Sequence, residues 1–280
     1  MNLVSAIVPM VGEPSMTHTR QPAKASGGSI REAEYIGGTY QGEWVSGMPH
    51  GQGTFTWPSN RVDKGGCVDD EFHGKVTRYV YKGGWIDGMR QGKGEATWSD
   101  GQVYKGDWKD GRLHGKGKVT CADGYLYEGG WVNGRRQGKG KETWPDGTVF
   151  EGDWVDGTLG GKGALTWPDG TFSRGDWVDG SLHGKGTQRS CDGTVYEGEW
   201  IDGNKHGKGT ETRPNGTVFA GEWVDGEQSK KGTGTYADGS IYEGDWVGDS
   251  RHGKGKLTLL NGDIYEGNWV DDKYRYDNQG

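Results

Sequence analysis

Tyr196-Glu197-Gly198-Glu199-Trp200-Ile201-Asp202-Gly203 is the stretch that decides the fold. Tyr, Gly and Trp occupy alternate places and carboxylates stand between them, which is the period of a β-strand and not of a helix. Asp202-Gly203 then supplies the residues of a tight turn. The stretch returns as Tyr104-Lys105-Gly106-Asp107-Trp108, Tyr127-Glu128-Gly129-Gly130-Trp131, Phe150-Glu151-Gly152-Asp153-Trp154, Tyr242-Glu243-Gly244-Asp245-Trp246 and Tyr265-Glu266-Gly267-Asn268-Trp269. Repeats open at residues 40, 63, 81, 104, 127, 150, 173, 196, 219, 242 and 265, spaced by 23 residues except after the second, which lasts 18. Such a fixed period marks a repeat array.

With the opening aromatic counted as position 0, a full repeat carries Gly at 2, Trp at 4, Asp-Gly at 6 and 7, Gly-Lys-Gly at 11 to 13 and a second Asp-Gly or Asn-Gly at 19 and 20. Two turns therefore bracket two short strands. In Trp144-Pro145-Asp146-Gly147 the proline presets φ and the glycine accepts a positive φ. Each repeat is expected to be a β-hairpin, and successive hairpins to join in an elongated single-layer antiparallel sheet, an all-β solenoid-like rod. Two strands per repeat, each about 4.8 Å wide, advance the array by about 9.6 Å, so eleven repeats predict a body on the order of 100 Å long. If position 4 faces position 13 across the hairpin, each indole lies over a glycine, which explains glycine in strands that it normally weakens.

The pattern from Tyr196 to Gly209, aromatic-x-Gly-x-Trp-x-x-Gly followed by His206-Gly207-Lys208-Gly209, resembles the MORN repeat (membrane occupation and recognition nexus) over residues 40–272. The resemblance implies a groove-shaped antiparallel sheet and a largely non-enzymatic module of cytoskeletal, ciliary and membrane-junction proteins. Residues 1–39, with Pro9, Pro14, Pro22 and Gly27-Gly28, are read as a flexible, disordered arm, and 273–280 as a tail. The second repeat has Asp63 for the aromatic, Cys67 for Trp and Val76 for the second Gly, which predicts a bend or break near 62–80. Ser173, Lys230 and the inverted pair Gly248-Asp249 predict local irregularity.

Composition agrees with a thin aromatic sheet. Only 30% of the 280 residues are hydrophobic while 57 are Gly, which excludes a deep aliphatic core; 14 Trp and 13 Tyr argue against disorder of the whole chain. A net charge of −7 predicts no diffuse attraction to nucleic acid. Cys67, Cys121 and Cys191 are odd in number and widely spaced, so neither a disulfide framework nor a zinc site is expected. The apolar run Leu3 to Val11 has no basic leader or cleavage pattern and is interrupted by Pro9, so the chain is read as cytoplasmic, with an association with cytoskeleton or membrane periphery left open.

The chemistry-bearing residues follow the repeat. His50, His73, His114, His183, His206 and His252 all stand at position 10, too far apart from repeat to repeat to share a zinc ion, and Gln91 and Gln137 replace them, so a structural role is expected and no metal or cofactor. Gly-x-x-x-Gly-Lys-Gly is too short for a phosphate loop and no helix follows it. No catalytic grouping stands apart from the repeat, and no enzyme activity is expected. Trp85, Trp108, Trp131, Trp154, Trp177, Trp200, Trp223 and Trp246, with Tyr104, Tyr127, Phe150 and Tyr196, predict an aromatic groove that seats a helical or extended segment of a protein partner. The same rings could equally be the only core of the sheet. Lys116, Lys139, Lys162, Lys185 and Lys208 at position 12 form the alternative, a row facing anionic lipid or phosphoinositide, against which acids at positions 1 and 3 are expected to neutralise it. Tyr242, Tyr265, Trp269 and Tyr274 mark a possible homodimer edge at the C-terminal repeats, where the last strand lacks a full partner unless Tyr274 covers it.

Overall fold

A computed structural model of the chain describes residues 30–35, 38–57, 67–68, 71–72 and 79–275. All regular structure among them is strand, and twenty-one of the twenty-three strands belong to one open antiparallel sheet. The chain divides into two compact bodies, residues up to Leu159 and residues from Gly160 onward. Both are built from the same hairpin. In the first, Val103–Lys109 pairs with Arg112–Thr120, which pairs with Leu126–Val132 of the next repeat. In the second, Val195–Ile201 pairs with Asn204–Thr212, which pairs with Val218–Val224.

The turn between the two strands of a repeat has two central residues, both at positive φ: Asp110 at 50° and Gly111 at 77°, Asp202 at 48° and Gly203 at 80°. These are the dihedral signs of a type I′ turn, whose twist suits a hairpin and whose preferred residues are Asn-Gly and Asp-Gly. The inverted Gly248-Asp249 keeps a positive φ only at Gly248, 56°, the pattern of a type II′ turn. The turn that closes a repeat is held differently. Gly124 N donates to Cys121 O at 3.2 Å, and the Asp123 carboxylate accepts from Tyr125 N at 2.9 Å, an Asx turn repeated at Asp146, Asp169, Asp192, Asn215 and Asp238.

The register differs from the expected one. Trp131 lies opposite Arg136 at position 9 of its own hairpin and opposite Gly115 at position 11 of the preceding repeat. It does not lie opposite position 13. Position 2 takes that place, and within the hairpin a bulge then slips the register between positions 2 and 3, so that Gly106 faces Gly117 but Asp107 faces His114. The glycines at 2 and 13 form a continuous row, Gly106 to Gly117 to Gly129. Their empty places hold the phenol ring of position 0, not the indole: a Cβ on Gly117 or Gly106 would run into the Tyr104 side chain.

A position-0 tyrosine inside the array meets two indoles edge to face. The Tyr127 ring is 5.1 Å from Trp131 of its own repeat and 5.2 Å from Trp154 of the next; Tyr196 stands 5.1 Å from both Trp200 and Trp223. Such pairs contribute roughly 0.5–1.5 kcal/mol each beyond their area. The Tyr hydroxyl donates to the carbonyl of position 3, as from Tyr104 to Asp107 O at 2.9 Å and from Tyr242 to Asp245 O at 3.1 Å. Burial, with the neighbouring acid at position 3 second, pushes the hydroxyls of Tyr40, Tyr196 and Tyr242 up to about 12, so they stay protonated donors.

Several expected irregularities resolve. The strand Met48–Thr56 pairs directly with Tyr79–Ile86, Gly51 opposite Trp85, in the register used between other repeats. The sheet is therefore not broken between residues 56 and 79, and the second repeat puts no described strand into it; Cys67–Val68 and Glu71–Phe72 form a separate two-stranded pair. At Ser173 the backbone keeps the common register, and Leu182 fills the place of the missing ring over Gly175 and Gly186. Lys230 does disturb the ladder, since pairing with the next strand begins one residue later at Lys231 and Asp245. Of the expected arm, residues 1–29 and 36–37 lie outside the described residues, but Arg31–Tyr35 is a strand paired with Gly38–Val45 and not a disordered segment. Cys121 is disulfide-bonded, against the reading of the cysteines as a set without bridges, while Cys191 is free and exposed.

Position 13 tests the role of the ring. Gly209→Ala would place a methyl in the Tyr196 ring and is expected to lower stability by about 3 kcal/mol, the upper end for overpacking. Gly186→Ala at the equivalent place meets only the mobile end of Leu182 at 3.0 Å and a carbonyl at 3.1 Å, so it should cost visibly less. Urea midpoints of the two variants give the comparison, and equal losses would refute the assignment.

Candidate partner-binding faces

The alternation along each strand gives the sheet an aromatic face and a charged face. On the aromatic face the residues expected to line an open groove are core. Trp85, Trp108, Trp131, Trp154, Trp177, Trp200, Trp223 and Trp246 are 1–7% exposed, and Tyr104, Tyr127, Phe150 and Tyr196 at most 1%. The faces of the indoles are covered by position 9. The Arg90 guanidinium lies 4.4 Å over Trp108 and that of Arg136 4.0 Å over Trp154; the Lys205 ammonium lies 4.6 Å over Trp223 and the Arg251 guanidinium 4.6 Å over Trp269. Leu113, Leu159 and Leu182 take the same place in other repeats and are buried.

What remains open on this face is position 17. Trp98 and Trp144 in the first body and Trp167 and Tyr236 in the second are half-exposed. Around them the side chains differ from repeat to repeat. Arg136 and Glu142 form a buried ion pair at 2.5 Å, joined by the Tyr125 hydroxyl, and Arg136 also donates to Gly157 O at 2.7 Å. In the second body Glu211 accepts from Lys205 at 2.6 Å and from Arg213 at 3.1 Å, and Arg213 reaches on to Asp249, the carboxylate that the inverted turn introduces. Positions 9 and 17 were not singled out in the sequence. The period of 23 residues contains them, but their importance depends on the bulge that sets position 9, and not 13, against the tryptophan.

The charged face carries the lysine row. Lys93 meets Asp107 at 2.6 Å, Lys139 meets Asp153 at 2.8 Å and Lys162 meets Asp176 at 2.6 Å, each lysine pairing with position 3 of the next repeat. Lys185 and Lys208 stand opposite Glu199 and Glu222 in the register, whereas Lys116 faces Gly130. Position 3 has a second task, because the Asp107 carboxylate also accepts from the Lys116 amide at 2.9 Å, inside the bulge, as Asp245 does from the Lys254 amide at 3.0 Å. Position 10 fastens neighbouring turns. Gln91 and Gln137 accept from the amides of Asp110 and Asp156 in the next repeat at 2.9 and 3.0 Å, and His183 Nδ1 lies 3.6 Å from the carboxylate of Asp202 in the same relation. The glutamine amides thus link turn to turn, whereas Nδ1 of His114, His183 and His206 at this position makes no hydrogen bond, and no cluster of three metal-ligating side chains occurs among the described residues.

At the C-terminal edge Lys273–Arg275 pairs with Ile264–Val270, placing Tyr274 opposite Trp269. The Tyr274 ring is 5.8 Å from Tyr265 and 5.3 Å from Trp269, and its hydroxyl donates to Glu266 O at 2.9 Å. Tyr274 covers the last strand. Tyr242 is not at that edge, since its strand pairs on both sides and the residue is fully buried. No helix among the described residues is long and apolar enough to cross a membrane.

A hairpin array with these glycine, tyrosine and tryptophan rows defines a tandem-repeat scaffold. The family description "MORN repeat" matches residues 40–60, 81–103, 104–124, 127–149, 150–172, 174–195, 196–218, 219–241, 242–264 and 265–274, and the chain belongs to that family, which is generally a non-catalytic repeat module. No curated protein matches the sequence. Solved structures with some likeness include the TCP domain of SAS-4 from Drosophila melanogaster in complex with a proline-rich motif of Ana2, at 18% identity over 62% of this chain and 82% of that one with a TM-score of 0.27. Others are the TCP10 domain of Danio rerio CPAP, at 13% identity over 76% and 92% with a TM-score of 0.29, and the CPAP G-box domain, at 12% over 86% and 100% with a TM-score of 0.30. Scores this low transfer nothing about binding.

The Asp107 carboxyl is pushed up by partial burial, but hydrogen bonds from Lys93 and from the Lys116 amide outweigh this and hold it below the usual carboxylate range. A carboxyl lowered in the folded state adds stability that is complete above its unfolded value, about 3.9, and is lost as pH falls through the folded value. Asp107→Asn should therefore destabilise the protein at neutral pH and flatten the loss of melting temperature below about pH 4. Parallel acid limbs for variant and parent would count against it.

Proposed function

We propose that the chain is a non-catalytic scaffold that holds an extended or helical segment of a protein partner on the aromatic face, through position 17 and its neighbours, and not through the buried tryptophans of position 4. The half-exposed rings of Trp98 and Trp144 carry this reading. Large aromatic side chains that are not needed by the core are the usual anchors of protein contacts. A second support is the contrast within the repeat itself: positions 2, 4 and 13 hardly vary along the chain, while positions 9, 15 and 17 carry Leu113, Val119 and Cys121 in one repeat and Arg136, Glu142 and Trp144 in the next. The core is uniform and the surface laid over it is individual, as selective recognition of one segment requires.

The lipid-facing alternative is disfavoured by the ion pairs of Lys93, Lys139 and Lys162, which leave the lysine row little free positive field. Trp98→Ala with Trp144→Ala should leave the melting temperature within a few degrees of the parent and lower affinity for the partner captured from native extract by about thirtyfold or more, since each anchor ring is worth roughly 1–2 kcal/mol and about 1.4 kcal/mol is tenfold. Unchanged capture by the folded double variant would overturn the assignment. Flotation with anionic vesicles that grows with lipid charge and collapses in salt would move the function to the lysine row.

A further inference from the structure

The charged face has an apolar border. Position 5 points away from the tryptophans and is Val178, Ile201, Val224 and Val247 in four successive repeats of the second body, each 42–60% exposed. No packing need places aliphatic β-branched residues there, because the next strand position on that face is solvent-exposed acid or lysine. The first body has Val45, Ile86, Val132 and Val155 at the same position, also exposed, and Lys109 there shows that the fold accepts a charged residue at this place. Each of the four in the second body faces a polar residue across its hairpin, Ser181, Asn204, Glu227 and Ser250, so the row is a line of exposed aliphatic side chains one repeat apart, and exposed apolar side chains in line mark an interaction site more often than an accident of composition.

The row is flanked by negative charge on the turn side. There stand Asp179, Asp202 and Asp225, the last two with side chains 82% and 83% exposed. Toward the centre of the face Asp176, Glu199, Glu222 and Asp245 each stand opposite a lysine of the preceding repeat, Lys162, Lys185, Lys208 and Lys231, so the uncompensated charge is that of the turns. An aliphatic row beside exposed turn aspartates matches a cationic partner with an apolar stripe. The spacing selects the partner's form. Repeats advance by about 9.6 Å, two strand widths, and seven residues of an α-helix by about 10.5 Å, so the mismatch over three intervals is about 2.7 Å, shared between the ends. One apolar residue in every heptad can then meet one aliphatic residue in every repeat.

We propose that Val178, Ile201, Val224 and Val247, with the aspartates of the adjoining turns, dock a basic amphipathic α-helix laid across the strands along the hairpin-turn edge. Within the second body this row points away from the aromatic face that carries Trp167 and Tyr236.

The test uses the full chain and a fluorescent synthetic helix of about four heptads with leucine at the heptad spine and lysine beside it, read by anisotropy. The same helix with glutamate in place of lysine is the control. Saturable binding of the basic helix, at least about tenfold tighter than the acidic one, is expected, with a loss of about tenfold or more on Ile201→Glu with Val224→Glu. Should those charges disturb the hairpins, Ile201→Thr with Val224→Thr keeps strand-forming residues and should still weaken binding. Equal affinity for the two helices, no binding of the basic helix, or indifference to both pairs of substitutions would overturn the proposal. So would concentration-dependent self-association, seen by light scattering without peptide, that the same substitutions abolish, because the occupant would then be a second copy of the chain.

Discussion

A phenol ring lying over two facing glycines is the contact on which the rest of the sheet depends. Gly106 and Gly117 leave the place that Tyr104 fills, and similar pairs receive Tyr127, Tyr196 and Tyr242. Because that ring meets an indole on either side, the tyrosine of one repeat organises the tryptophan of the next, so that stability passes between neighbours and not through a common centre. The glycines of the strands, unfavourable taken singly, are the condition for burying so much aromatic surface in a single layer.

The class of fold was legible because its signals are local: a two-residue alternation, an Asp-Gly turn and a period of 23 residues. The register was not. Placing Trp131 against a glycine was sound, but the glycine is Gly115 of the preceding repeat, reached in unbroken register from Gly129 opposite Gly117, while inside the hairpin the bulge beyond position 2 sets Trp131 against Arg136. A bulge leaves only a glycine and an acid as its trace, and Gly115 with Asp107 could be recognised as such only with the hydrogen bond to the Lys116 amide in view. The facing of positions 2 and 13 and the bulge beyond them account for the other differences: tyrosine and not tryptophan over the glycine pair, Arg136 over an indole, and a tryptophan row buried as core.

Charge is used in three ways by residues of the same type. Lys93 and Lys139 are spent on acids of adjoining strands, Arg136 is sunk beneath the surface with Glu142 and over Trp154, and Asp202 stands exposed at a turn, 3.6 Å from His183 Nδ1 and beside an apolar neighbour. The composition alone, with 33 basic and 40 acidic residues, suggests a uniformly polar coat. Distribution by repeat position separates the charges that bind strands together from those that face outward.

The direct pairing of Met48–Thr56 with Tyr79–Ile86 shows how such an array tolerates change in length. Where most neighbouring strands are linked by a few residues, here twenty-two intervene between residues 56 and 79, and the ladder closes as if they were absent. Closing a longer loop is cheap, each doubling costing only about 0.6 kcal/mol. A seam between repeats can therefore accept extra sequence, or give up a failing repeat to drift, while the hairpins on either side keep their contacts. An array of this kind gains new segments at its joints before it alters its modules.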